Sequence, residues 1–386
     1  TGGGAMRMLD ELTALLEDPY SRAKEEKAKG RRVIGISPMH FPEELVHASG
    51  ALPVILQESN ESVTAAGEYI FPNFCGFSRS NVDWGLKGEL DFFDAIVVSD
   101  ICLETRLCFD VMRQRMKVPF VYMWWPLDYD MGRWLPTVRR RLERAKESIE
   151  KIVGKRIEEK DIRNSIGLYD RNRRLLREVY ELRRSKPGVL SAREMQMLVV
   201  SSMVTPKEEH NDLLEKVISQ LRQTTPPPNG ATRVFLSGHL CHGVKPDILD
   251  LIEDLGAVVV GDDLYAGYRY YAAEVPTDID PIEALAYRYF NLGVPCPTRS
   301  GAQGDWAAHI IEAAKEGQAL GVISLMPKYC EPHMFYYPDV KRRMLQAGIP
   351  FVFIETEHES VSLEGTRTRL QAFVETLEAR LETQTR

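Results

Sequence analysis

The chain has 386 residues and a net charge of −7, with 44% hydrophobic and 27% charged residues, which is typical of a globular protein. This length predicts two domains, each able to bury its own core. The acidic balance argues against a general nucleic-acid binder, and the longest apolar runs are strand-sized, which argues against a membrane span. We find no signal-peptide pattern before the first predicted strand, and residues 1–5 are typical of a cloning remnant, so we expect a cytoplasmic protein.

Strand and helix patterns alternate over residues 6–132. Four apolar runs of strand length begin at Arg32, Leu52, Ala95 and Val118. Helical patterns cover residues 9–26, 42–50 and 82–90. The second of these begins with proline and two acids and ends with glycine, as helices commonly do. Alternating strands and helices predict a parallel sheet of the doubly wound type.

The pattern changes over residues 133–223, which are charged and helical. Interruptions fall at Gly154, at residues 186–188 and at residues 205–206. Residues 224–230 contain three prolines and predict an interdomain linker.

Alternation returns over residues 231–386. Strand patterns begin at Arg233, Ala257, Gly321 and Pro350. Helical patterns cover residues 247–255, 281–292, 306–316, 340–347 and 365–380. The sequence therefore predicts two doubly wound parallel-sheet α/β domains, Rossmann- or flavodoxin-like, at residues 6–132 and 231–386, with a helical segment and a linker between them.

The six cysteines are dispersed along the chain. They are Cys75, Cys102, Cys108, Cys241, Cys296 and Cys330. Ligands of open parallel sheets bind beyond the carboxyl ends of the strands. Cys102, Cys241 and Cys330 each follow a predicted strand by a few residues, and the strands belong to both domains. Two domains that face each other would bring all six cysteines into one cleft.

A reducing compartment disfavours disulfides, which leaves buried thiols, catalytic thiols or metal ligands. A free cysteine often packs as a small hydrophobic residue. Most of these six, however, are predicted to lie in loops beside proline, glycine or histidine. The chain has no CxxC, the usual pattern of a structural zinc site, so dispersed thiolates favour an iron–sulfur cluster between the two domains.

Other polar residues are candidates for proton transfer or for contact with such a cluster. His40, Glu43, His239 and His242 follow predicted strands or flank a cysteine, and we consider them as proton donors. Ordinary core or solvated histidines, and helix-dipole capping by Glu43, are the alternatives. Lys328 and Arg299 lie near cysteines in sequence and are candidates to offset the charge of a cluster; the alternative is a surface cation.

Several segments resemble the 2-hydroxyacyl-CoA dehydratase / benzoyl-CoA reductase family of cluster-bearing subunits. They include PNFCGFSRS (residues 72–80), DICLE (100–104), GDDLYAGYRYY (261–271) and MPKYCEPH (326–333), and the similarity covers nearly the whole chain after Met6. The resemblance implies a 4Fe-4S cubane held between two α/β domains by cysteines that match Cys75, Cys102 and Cys330. It also implies an ATP-hydrolysing activator protein, with its own 4Fe-4S cluster, as the source of low-potential electrons.

The sequence departs from the dehydratase pattern by its three further cysteines, Cys108, Cys241 and Cys296. It is most similar to the double-cubane branch, in which six cysteines hold two cubanes joined by a bridging sulfide, an 8Fe-9S cluster. We expect Cys75, Cys102 and Cys330 to serve one cubane and the other three cysteines the second.

This resemblance implies an oxygen-sensitive, homodimeric reductase of a small unsaturated molecule. The chain contains no GxxxxGK[ST] loop, which agrees with ATP being bound by a partner. Two alternatives stay open. One is a single-cubane subunit of a 2-hydroxyacyl-CoA dehydratase or benzoyl-CoA reductase, and the other is an electron-transfer protein without catalytic activity.

Overall fold

Each half of the chain contains a four-stranded parallel sheet, and the two sheets have the same strand order. The computed structural model describes residues 12, 17–59, 61–227, 231–239, 247–299, 304–359 and 363–385. The first sheet has the spatial order β2-β1-β3-β4 and consists of β1 (Val33–Ile36), β2 (Leu52–Ile55), β3 (Ala95–Asp100) and β4 (Phe120–Trp124). The second has the order β6-β5-β7-β8 and consists of β5 (Thr232–Gly238), β6 (Ala257–Asp262), β7 (Gly321–Pro327) and β8 (Phe351–Thr356). This confirms the predicted two-domain α/β fold.

Helices cover both sheets and form the middle of the chain. The helices of the first half are α1 (Ser21–Ala28), α2 (Glu43–Ala48), α3 (Gly76–Lys87) and α4 (Leu103–Arg115). Those of the middle are α5 (Met131–Val153), α6 (Glu159–Ser185), α7 (Ala192–Val204) and α8 (Lys207–Gln223). Those of the second half are α9 (Asp247–Asp254), α10 (Tyr268–Tyr271), α11 (Pro281–Phe290), α12 (Trp306–Glu316), α13 (Glu331–Gln346) and α14 (Glu364–Thr385). Within the described ranges, no helix has the length and apolar character needed to cross a membrane.

The strands are apolar because helices cover both faces of each sheet, as is usual for parallel sheets. Every residue of β1, β2 and β3 is buried, and the same holds for β6 and β7. Val33 pairs with Leu52 and Ile96 pairs with Phe120, so the register aligns the apolar runs that the sequence shows.

The hydrophobic cores do not follow the order of the chain. The first core joins the first sheet to α5, α6, α7 and α8, and it also includes α11, through Ile282, Leu285 and Tyr289. Smaller cores cover the two faces of the second sheet, with Leu325 on one face and Val322 on the other. A segment from the second half of the chain therefore packs into the first core, and the domain ranges given above stay predictions.

Several helices differ from the sequence-based prediction, and three of them carry residues that line a buried cavity. Helix α3 begins at Gly76 instead of residue 82, α13 begins at Glu331 instead of residue 340, and α4 was not predicted. The predicted breaks at Gly154, residues 186–188 and residues 205–206 fall between helices. Residues 9–11 and 13–16 of the first predicted helix, and residues 228–230 of the predicted linker, lie outside the described part of the chain.

Candidate metal centre

A buried cavity of about 70 Å³ lies where the carboxyl ends of the two sheets meet. Its walls include residues that follow the four strands at the two points where strand order reverses, β1 and β3 in one sheet and β5 and β7 in the other. These residues are Met39, Cys102, His239 and Cys330. Such switch points are where open α/β sheets bind their ligands. The cavity is several times larger than the roughly 10–15 Å³ that one water molecule needs.

Three cysteines on the cavity wall share one structural position, the N-cap of a helix. Cys75 precedes α3, Cys102 precedes α4 and Cys330 precedes α13, and all three line the cavity. The first turn of a helix has unpaired backbone N–H groups and the positive end of the helix dipole. Three helix N-termini at one cavity therefore favour negative charge there, and thiolates or an anionic cluster would supply it.

Local hydrogen bonds fix the three sulfur atoms. The Cys75 backbone N–H donates to Glu104 Oε2 at 2.9 Å, and its thiol lies 3.4 Å from Ser78 Oγ. The Sγ of Cys102 accepts from the backbone N–H of Thr105 at 3.4 Å. The Sγ of Cys330 lies 3.2 Å from Nδ1 of the buried His333.

Cys108 and Cys296 are buried next to the same cavity without lining it. Cys108 lies inside α4 and not in a loop, where the sequence had suggested most of the cysteines to be. Cys296 packs against Met39, a residue of the cavity wall, and its Sγ lies 3.1 Å from Thr298 Oγ1 and 3.9 Å from Arg269 Nη1. Cys241 and His242 lie outside the described residues.

Burial raises the pKa of the Cys75, Cys102, Cys108 and Cys330 thiols, in the case of Cys108 to about 12. Nearby thiols add to this effect, since Cys102 and Cys330 raise the pKa of Cys75 and Cys296 raises that of Cys330. The five described cysteines thus lie close enough to influence one another. Because burial raises the pKa of four of them, Cys75, Cys102, Cys108 and Cys330 are protonated without a bound cation, and a metal must displace these protons in order to bind.

The donor set fits an iron–sulfur cluster better than a single ion. Within the described ranges, no three His, Cys, Asp or Glu side chains converge closely enough to hold one ion. The thiols are instead spread around a cavity, and soft sulfur donors of this kind bind iron–sulfur clusters.

The structure separates the predicted proton donors. His239 lines the cavity and stacks on Tyr265 with ring centroids 5.6 Å apart. His40 and Glu43 line a second cavity of about 50 Å³ behind it. Burial, reinforced by the cations Arg299 and Arg269, holds the pKa of His40 well below its usual value, so His40 is neutral.

Glu43, which lines the same second cavity as His40, belongs to a buried hydrogen-bonded group. Its carboxylate accepts from Tyr270 Oη at 2.7 Å and lies 3.6 Å from the buried Lys207 Nζ. These contacts explain why the residue is polar and buried. Its predicted role in proton transfer stays a prediction.

The two predicted cluster-contacting cations occupy different environments. Arg299 is buried, with its guanidinium 3.6 Å from the ring centroid of Tyr129 and 3.9 Å from that of Tyr289, and it lines an open groove of about 430 Å³ that also reaches Cys102. Lys328 is partly exposed and lies 3.6 Å from Glu357 Oε2, away from the cavity wall.

Two acidic residues on the cavity wall escaped sequence-based prediction as site residues. Glu104 accepts the Cys75 N–H, and burial raises the pKa of its carboxyl. Glu58 lines the cavity and is almost fully buried. An acid two residues after Cys102, in the first turn of α4, was the available signal for Glu104. The sequence offers no comparable signal for Glu58, because its partner is distant in the chain.

Comparison with known proteins places the chain among enzyme subunits. A family model described as 2-hydroxyglutaryl-CoA dehydratase, D-component, matches residues 38–377. The (R)-phenyllactyl-CoA dehydratase beta subunit of Clostridium sporogenes is 28% identical, over 96% of this chain and 99% of that protein. A benzoyl-CoA reductase subunit of Thauera aromatica is 25% identical, over 94% of this chain and 96% of that protein. The (R)-2-hydroxyglutaryl-CoA dehydratase beta subunit of Acidaminococcus fermentans is also 25% identical, over 96% of this chain and 99% of that protein.

Proposed function

Because the chain belongs to the 2-hydroxyglutaryl-CoA dehydratase D-component family, we propose that it is the iron–sulfur component of an ATP-dependent reductase acting on a small unsaturated substrate. The observation that carries this proposal is the convergence of three helix N-cap cysteines from both domains on one cavity. The relatives are named as dehydratase and benzoyl-CoA reductase subunits, which supports an enzyme role together with a partner.

The cofactor we propose is a double-cubane 8Fe-9S cluster. Cys75, Cys102 and Cys330 would hold the cubane in the cavity, and Cys108, Cys241 and Cys296 the second one. When bound, the cluster would supply low-potential electrons to the substrate.

The chain's own residues provide the environment for this cluster. The N-termini of α3, α4 and α13 would stabilise its negative charge. Arg269, whose Nη1 lies 3.9 Å from Cys296 Sγ, would supply a buried positive charge beside this residue of the second proposed ligand set. Among the predicted proton donors that the structure describes, His239 is the one that lines the cavity.

The proposed partners are an ATP-hydrolysing activator protein that delivers electrons and a second copy of the chain, in the cytoplasm. ATP consumption by the activator should then rise when a substrate is added to the pair. A non-catalytic electron-transfer protein would accept electrons reversibly without that rise.

Iron analysis distinguishes the proposed cluster from a single cubane. We expect anaerobically prepared protein to contain roughly eight irons per chain, against roughly four for a single-cubane dehydratase or benzoyl-CoA reductase subunit. Cys108→Ala should remove about half of the iron. The control is Met112→Leu, one turn further along α4 and equally buried, which should leave the iron content unchanged. Four irons that Cys108→Ala does not reduce would refute the double-cubane proposal, and a chain that binds no iron would refute both.

A further inference from the structure

A buried ion pair joins the two domains beside the cavity. Nδ1 of His358, which follows β8, lies 2.5 Å from Oε1 of Glu58, which follows β2, and both side chains are only 1% exposed. The other ring nitrogen, Nε2, lies 2.8 Å from the carbonyl oxygen of Glu61. The imidazole of one domain is therefore held on both sides by the other.

A second ion pair flanks the first. Arg79 on α3 donates from Nη2 to Glu357 Oε1 at 2.6 Å, and its Nη1 lies 3.6 Å from Glu359 Oε2. The Glu359 carboxylate also accepts the backbone N–H of Val63 at 3.0 Å. We refer to Glu58, Arg79, Glu357 and His358 as the interdomain clasp.

The clasp touches the backbone next to Cys75. Gly76 directly follows Cys75 and begins α3. A Cβ atom at Gly76 would lie 2.6 Å from Glu58 Oε1 and 2.6 Å from His358 Cβ, so the clasp packs directly on this glycine. Any shift of His358 relative to Glu58 must change the surroundings of the Cys75 backbone.

The clasp is also linked to Cys330 through the second sheet. Lys328, two residues before Cys330, donates its backbone N–H to the carbonyl of Thr356 at 2.8 Å, and its Nζ lies 3.6 Å from Glu357 Oε2. Cys75 belongs to the first domain and Cys330 to the second. The clasp is thus tied to one cavity cysteine from each domain.

A buried, hydrogen-bonded ion pair is costly to break at one end, because the remaining charge is left without compensation. Such a pair holds two elements in one arrangement more firmly than an exposed pair does. The clasp is therefore strong enough to hold the two domains at a fixed distance from each other.

We propose that the interdomain clasp is a positioning device that holds Cys75 and Cys330 at a fixed separation and keeps the cavity between them closed. Its purpose, to hold two ligands of one cluster, rests on the proposed function. The positioning itself concerns only the chain and can be tested without metal.

The test is alkylation of the intact, metal-free 386-residue chain by iodoacetamide, followed at each cysteine by peptide mass spectrometry. We expect His358→Gln and Glu58→Gln to raise the labelling rates of Cys75 and Cys330 by about tenfold or more, because local opening exposes both. Cys108, buried inside α4, should keep its rate. If either variant folds poorly, Glu357→Gln at the partly exposed end of the clasp should give a smaller increase at the same two cysteines.

A matched control separates positioning from general loss of stability. Arg173→Met removes a different buried cation, in the first core and outside the clasp, and should not raise the labelling of Cys75 and Cys330 selectively. The double variant of Glu58→Gln and His358→Gln should label less than the product of the two single effects, because the two residues act on each other.

Unchanged labelling in the clasp variants, or an equal increase in Arg173→Met that is likewise confined to Cys75 and Cys330, would overturn the positioning role. A wild-type chain that binds no iron but shows the expected labelling would instead overturn the proposed function and leave the clasp intact.

Discussion

Gly76 is a residue at which the backbone of the first domain packs closely against the second domain. A Cβ atom added at Gly76 would lie 2.6 Å from both Glu58 Oε1 and His358 Cβ, which leaves no room for a methyl group. We predict that Gly76→Ala destabilises the protein by about 1–3 kcal/mol, because the buried pair must move or the backbone must shift. The change should appear as a lower midpoint in urea unfolding.

The control for this prediction is Gly67→Ala. A Cβ at Gly67 would meet no atom within 4 Å, and the backbone there needs no left-handed conformation. The unfolding midpoint of Gly67→Ala should match the wild type. Equal midpoints for the two variants would show that the structure accommodates a methyl group at residue 76 without loss of stability.

Backbone conformation at single residues also shapes the cavity. His40 follows β1 with φ +75° and Tyr329 follows β7 with φ +65°, and neither is a glycine. Such conformations cost about 1–3 kcal/mol and persist where the surrounding contacts impose them. Gly238 at the end of β5 has φ +111°, and a Cβ there would lie 2.2 Å from the carbonyl oxygen of Leu325. Three of the four strands at the switch points thus end in a turn that ordinary residues disfavour.

At the scale of elements, a buried charge network fixes α2 against α6. Arg173 on α6 donates from Nη1 to Asp170 at 2.6 Å and also pairs with Glu44 of α2, and all three side chains are buried. Asp170 in turn accepts the backbone N–H of Val275 at 3.2 Å, which ties in the segment before α11.

We predict that Arg173→Met destabilises the protein by about 3–5 kcal/mol, because two buried carboxylates would lose their common cation. The measurement is the free energy of unfolding from urea denaturation. Arg171→Met is the control: Arg171 pairs with Glu215 at 2.6 Å on the surface, where both side chains are about half exposed, and its loss should be undetectable. A small effect of Arg173→Met would mean that Glu44 and Asp170 can take up protons or reach water.

The sequence predicted the strands better than the helices that carry the site. Val33–Ile36 and Ala95–Asp100 are buried apolar runs, and such runs identify the strands of a parallel sheet. The starts of α3 and α13 were placed six and nine residues too late (82 − 76 and 340 − 331). Their N-caps are Cys75 and Cys330, whereas helix starts are usually recognised by serine, threonine, aspartate or asparagine. A cysteine at the N-cap is not one of these signals, so the sequence did not show where the two helices begin.

At the scale of the molecule, the sequence predicts one cleft for all six cysteines, and three of them, Cys75, Cys102 and Cys330, line the cavity. It gives no indication of what holds the two domains together. The two sheets have the same strand order, and residues that follow β1, β3, β5 and β7 line one cavity. The alternation of strands and helices in the sequence predicts a ligand site at such strand ends. The contact between Glu58 and His358 joins residues 300 positions apart, and no local pattern predicts such a pair. The second cavity, which His40 lines, was not predicted for the same reason: it forms only where α6, α10 and α11, distant in the chain, pack against the first sheet.

The cohesion of the two domains should therefore depend on pH through His358. Burial opposes its positive charge, but the hydrogen bond and the charge of Glu58, together with the Glu61 carbonyl, outweigh burial and the repulsion by Arg79, so the pKa is raised above 6.5. A raised pKa in the folded state means that folding favours the protonated imidazole. The resulting stabilisation is fully present below pH 6.5, the value for the unfolded chain, and is lost as the pH rises through the folded-state pKa.

We predict that the difference in unfolding free energy between the wild type and His358→Gln is largest at pH 6 and shrinks as the pH is raised to about 9. Taking the difference removes the contributions of other titrating groups, including the buried thiols, that are common to both proteins. The measurement is urea unfolding of the metal-free chain under reducing conditions, at matched ionic strength. A difference that grows from pH 6 to pH 9 would show that His358 is neutral in the folded protein, so that a neutral hydrogen bond joins the domains instead of an ion pair. A constant difference would show that folding leaves the pKa of His358 unchanged.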